Sequence, residues 1–152
     1  MLINAVIAYL HFFAAFIVVT SILYEWVTFE KNISLVDAKR IQIADLLYGV
    51  SALVVLVAGF LRVVYFEKGT DYYLGSLFFQ IKIIVFLIVG LLSIYPTVRF
   101  LMWRKFTNEG KAPEIDDKEC SMILWSLRAE VFGLMIAILA ASLMAKGIGY
   151  SL

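Results

Sequence analysis

A single cysteine, Cys120, excludes an intrachain disulfide, and no Cys-x-x-Cys or Cys/His spacing offers a zinc site. Two prolines and nine glycines are too few for a disordered segment. Charge is scarce as well: 16% of the 152 residues, against roughly a quarter in an ordinary soluble domain. The net charge of +1 names no partner, and no basic patch interleaves with aromatics, so a nucleic-acid surface is excluded. There is no Gly-x-Ser-x-Gly, no Cys-His pair and no phosphate-cradling glycine loop. An enzyme built on this chain would depend on a cofactor. The acidic loop 104–119 shows no spaced calcium pattern and reads as solvent-facing.

What is abundant is apolar surface. Hydrophobic residues make up 63% and aromatics 15%, with a mean hydropathy of +0.94. The excess falls in four long runs, each near the ~20 residues that cross a hydrocarbon layer. The fold expected is all-α, a four-transmembrane-helix bundle in one domain, with helices at about 3–26, 35–66, 73–103 and 118–146. Lys31, Lys39, Arg40, Arg99, Arg104, Lys105, Lys111 and Lys118 fall at loops one and three, so those loops are expected in the cytoplasm and both termini on the outer side. The first run lacks a basic n-region and is nearer a full span than a short signal core, so it is not read as cleavable. Ser34 with Asp37 predicts the start of the second helix, and Asp116 with Asp117 suit the start of the fourth.

Helical periodicity sorts the faces. In the first helix His11, Ala14, Ala15, Val18, Ile22 and Glu25 form a small, polar stripe predicted to face inward, with Phe12, Phe13 and Phe16 beside it. In the second, the stripe expected is Asp45, Gly49, Ala52, Leu56 and Gly59, with Arg62 near the far end to snorkel or bind an anion. Lys82 lies inside the third helix on the face of Phe86, Val89, Ser93 and Pro96. Tyr72, Tyr73, Tyr95 and Trp103 are placed in interfacial aromatic belts. In the fourth, Glu130 shares a stripe with Gly133, Leu134, Ala137 and Ala141. Arg128, about 200° away around the axis, points sideways.

Ionisable groups inside a bilayer are costly, and they mark function by default. His11, Lys82 and Glu130 are the first candidate set. His11, the only histidine, is a haem ligand, a metal ligand or a proton relay on one reading, and an interhelical hydrogen bond on the other. Lys82 and Arg62 then suit haem propionates. One histidine cannot supply both axial ligands within one chain, which leaves five-coordinate haem or haem shared in a homo-oligomer. Glu25, Asp45 and Arg128 form a second set, a structural salt bridge or a point where protons or cations enter. Arg62, Glu67, Lys68, Asp71, Tyr72 and Tyr73 form a third, a solvated turn or a pocket for an anion.

Several segments resemble a known family. LHFFAAF, DLLYGVSALVVLVAGFLRVVYFEKG, FFQIK, GLLSIYPT and FLMWR look like the bacterial membrane family catalogued as domain of unknown function 2214, most specifically in Gly59, Arg62, Tyr65, Lys68 and Gly69 and in Pro96-Thr97. More distantly, Leu10-His11, Lys82 after Phe78-Phe79, and Arg128 and Glu130 are similar to HemJ-type protoporphyrinogen oxidases, and the layout is similar to CopD-like copper-resistance proteins. The first resemblance implies a multi-pass protein of the bacterial inner membrane. The HemJ resemblance implies haem b and an oxidoreductase passing electrons from a porphyrin precursor to quinone, with His11, Lys82 and Glu130 as catalytic residues. Two other classes stay open: a small transporter or proton- or ion-conducting module lined by His11, Lys82 and Glu130, and a structural subunit without chemistry.

Overall fold

A computed structural model describes residues 1–66 and 69–149. Four long helices carry the architecture: α1 (Leu2–Thr28), α2 (Leu35–Leu61), α4 (Leu77–Met102) and α6 (Asp117–Ala145). Two short ones, α3 (Thr70–Leu74) and α5 (Arg104–Asn108), lie beside the ends of α4. All four long helices are long and apolar enough to cross a membrane. Their outer faces present Phe12, Phe16, Leu53, Ile84, Leu91 and Phe132, all exposed. Apolar side chains in that number on the outside of a helix bundle require a lipid bilayer as solvent. The chain is a multi-pass membrane protein.

Local chemistry sets the ends. The Ser34 hydroxyl accepts the Asp37 N–H at 3.0 Å, which opens α2 as expected. Asp116 accepts the Glu119 N–H at 2.7 Å and opens α6. α2 closes in a π-helical turn, Arg62–Phe66. The third span departs from expectation: the helix predicted over 73–103 is broken near its start. α3 ends at Gly75, and the Ser76 hydroxyl accepts the Phe79 N–H at 3.4 Å to start α4 afresh. The segment after α6 folds back here, with the Leu77 N–H donating to Gly149 O at 3.0 Å. Gly149 has φ +73°, and a Cβ there would meet the Phe78 ring at 2.9 Å, so only glycine fits.

α1 packs chiefly along α2, and α4 along α6, as two antiparallel hairpins; α1 also meets α6, and α2 meets α4. Gly133 lets α6 approach α4, since a Cβ there would lie 2.5 Å from Val89 Cγ2. At the end carrying loops 29–34 and 103–116, Phe29, Phe100 and Trp103 form a buried aromatic cluster. The Phe29 and Trp103 rings stack at 6.0 Å, and Phe100 and Trp103 meet at 4.8 Å. Trp103 is therefore in the core and not in an interfacial belt. Its indole N–H donates to Glu119, which also pairs with Arg99. Tyr73 is buried too.

Candidate functional site

The interface between the two hairpins holds the polar centre of the molecule. The first hairpin brings Glu25 from α1 with Asp45 and Tyr48 from α2. The second brings Ser93 and Thr97 from α4 with Glu130 from α6. Spacing explains the placement, because residues three or four apart share a helix face, as Asp45 with Tyr48 and Ser93 with Thr97 do.

Three carboxyls lie together here. Glu130 is wholly buried, Glu25 is 1% exposed and Asp45 8%. Their charges reach one another, Glu25 with both Asp45 and Glu130, and Glu130 with Asp45. Asp45 accepts a hydrogen bond from the Thr97 hydroxyl at 2.6 Å. The Tyr48 hydroxyl lies beside Glu130 and Ser93, without closing a hydrogen bond of ordinary geometry to Glu130. Among the described residues, Glu25 Oε1 and both Glu130 oxygens are buried and accept no hydrogen bond. No lysine or arginine forms an ion pair with any of the three among the described residues.

That arrangement revises two predicted sets. Arg128 is exposed and makes no ion pair with Glu25 or Asp45 among the described residues, because its position on α6 turns it away from the hairpin interface. Glu130 takes its place. Nor does Glu130 meet His11 and Lys82. Gly133 and Val89 mark a common level on α6 and α4. Lys82 lies about two turns, ~10 Å, from Val89 toward one end, and Glu130 about one turn, ~4.5 Å, from Gly133 toward the other. The two are separated by about 15 Å along the bundle. Asp45 faces inward as expected, but its stripe is rotated: Gly49 and Leu56 are exposed, and Ile41, Tyr48 and Ser51 are buried. A tyrosine turns its hydroxyl toward polar partners when it is buried, and glycine has nothing to bury. Tyr48 and Thr97 were legible only as neighbours of Asp45 at helical spacing and as part of Pro96-Thr97.

His11 and Lys82 stand with Arg62 at the opposite end. The His11 Nδ1–H donates to Val55 O at 3.1 Å, and the ring rests on Gly59, where a Cβ would come within 3.2 Å of Cε1. The charges of Arg62 and Lys82 reach His11. The Arg62 guanidinium lies 5.0 Å from the Phe12 ring centroid, and the Lys82 ammonium 5.2 Å from that of Phe79. Glu67 and Lys68 of the predicted anion-binding turn lie outside the described residues. Among the described residues no cluster of His, Cys, Asp and Glu is spaced to hold a metal ion.

No curated protein and no solved structure matches the chain. The model of a family described as predicted membrane proteins, DUF2214, matches residues 3–149, and this multi-pass chain with a buried acidic centre belongs to that family.

Proposed function

We propose that the protein is a proton-handling membrane module, in which Glu25, Asp45 and Glu130 bind protons and pass them between α1, α2 and α6. One observation carries this reading: three buried carboxyls converge and none of them forms an ion pair among the described residues. In a medium of low dielectric, three adjacent carboxylates cannot all stay ionised without counter-charge. Shared protons relieve that cost, and the hydroxyls of Tyr48, Ser93 and Thr97 can both donate and accept along a relay. The salt bridge expected with Arg128 is not formed among the described residues, since Arg128 is exposed. The test is proton uptake by proteoliposomes under an imposed inside-negative potential, read with an internal pH dye. Uptake above that of empty liposomes is expected. A rate equal to empty liposomes would refute the proposal.

His11 supports a second reading. A ring that donates its Nδ1–H to a backbone carbonyl leaves Nε2 as the ligand atom, the usual setting of a metal-bound histidine. With Arg62 and Lys82 in reach for propionates, this end suits haem b, which supplies one-electron chemistry when bound. Together with the resemblance to HemJ-type enzymes, it is the basis for an oxidoreductase with a porphyrin or quinone partner. Purification after expression with haem supply should then give a Soret band that His11→Ala removes. A colourless protein contradicts it.

A further inference from the structure

A second polar feature lies outside the acidic centre, at the membrane boundary between α2 and α5. It is an open groove of about 260 Å³. Lys39 stands on one wall and Arg104 on the other, with Asn108 beside Arg104. The Gln42 amide at its floor is already engaged, donating to Phe100 O at 3.0 Å and accepting from Thr107 at 3.3 Å. No carboxylate is among the lining residues, and Asp45, whose charge reaches Arg104, is turned inward to Thr97. The two cations therefore face a shared space with no acid in it.

The lower edge of the groove is apolar. Ile43 and Leu46 line it and are 60% and 56% exposed. The ridge continues down α2 through the exposed Val50 and Leu53. Cations above and an uninterrupted apolar ridge below match a molecule with an anionic head and an acyl chain. We infer that the groove between α2 and α5 binds the phosphate of an anionic phospholipid between Lys39 and Arg104, with an acyl chain lying along Ile43, Leu46 and Val50. A free phosphate would use the two cations and leave the ridge without a role.

Native mass spectrometry of the detergent-purified protein tests this, with phosphatidylglycerol, phosphatidylcholine and inorganic phosphate as probes. Wild type should retain phosphatidylglycerol in preference to phosphatidylcholine. Lys39→Gln with Arg104→Gln should weaken that retention roughly thirtyfold, the effect of losing two cations at a membrane surface. Lys39→Arg with Arg104→Lys should preserve it, and so should Lys111→Gln with Lys118→Gln, which removes the same charge elsewhere. Equal retention of the two lipids would overturn the proposal. So would a neutral double variant that holds the lipid like wild type, a Lys111/Lys118 pair that weakens it equally, or inorganic phosphate that binds and displaces the lipid. The readout is independent of proton uptake, so it stands or falls apart from the function proposed above.

Discussion

The Thr97 hydroxyl donates to the Asp45 carboxyl at 2.6 Å, joining α4 to α2 inside the bundle. It is a hydrogen bond between the two hairpins, and it fixes one carboxyl of the acidic centre. Thr97→Val keeps the shape and removes the donor. It should lower stability by about 1 kcal/mol, read as a lower Tm in detergent, whereas Thr97→Ser should stay close to wild type. An unchanged Tm in the valine variant would mean that the bond holds nothing together.

Glu130 differs, because neither of its oxygens accepts a hydrogen bond among the described residues. Burying an ionisable group without a partner is costly, and a neutral isostere removes that cost. Glu130→Gln should therefore keep or raise the Tm while stopping proton uptake. A marked loss of stability would show that the carboxyl is a structural tie.

The approach of α6 to α4 depends on Gly133. A Cβ would lie 2.5 Å from Val89 Cγ2, so Gly133→Ala should cost about 1–3 kcal/mol. Val89→Ala in the same chain should recover most of it. A double-mutant cycle on denaturation midpoints checks this, and additive effects would argue against the contact.

Phe29, Phe100 and Trp103 form the buried aromatic cluster at the loop-bearing end. Trp103→Ala should cost about 3–5 kcal/mol, the range for truncating a buried aromatic. Trp103→Phe keeps an aromatic ring in the stack and loses part of the indole volume with the N–H donated to Glu119. It should be much milder in the same denaturation measurement.

At the surface, the Lys31 ammonium donates to Asp117, tying the first loop to the start of α6. That bond holds the Lys31 proton above its ordinary value of 10.5. Its stabilising contribution is present below that value and fades as pH rises through the elevated one. Labelled-lysine NMR should show late titration at low salt, returning toward the ordinary value in Asp117→Asn and, by screening, in high salt.

Much of this was legible in the residues. The four apolar runs gave the spans, and the Ser34-Asp37 pair gave the start of α2. The inward faces of α1 and α6 followed from the period, which placed Ala14, Val18, Ile22 and Glu25 together, and Glu130 with Leu134 and Ala137. Periodicity failed on α2, where small residues drew the predicted face toward Gly49 and away from Tyr48. It also cannot say which helices are neighbours or at what depth they meet. That is why Glu130 was grouped with His11 and Lys82 when it meets Glu25 and Asp45. Arg128 shares a membrane depth with those acids, but its direction on α6 turns it away from them.

The most direct test of the account is proton uptake compared at equal reconstitution for wild type, Glu25→Gln, Asp45→Asn and Glu130→Gln. The account predicts uptake in wild type and at least about a hundredfold loss, the low end of what a positioned proton-transfer group contributes, in each variant with its fold retained. Full uptake in all three variants would contradict it.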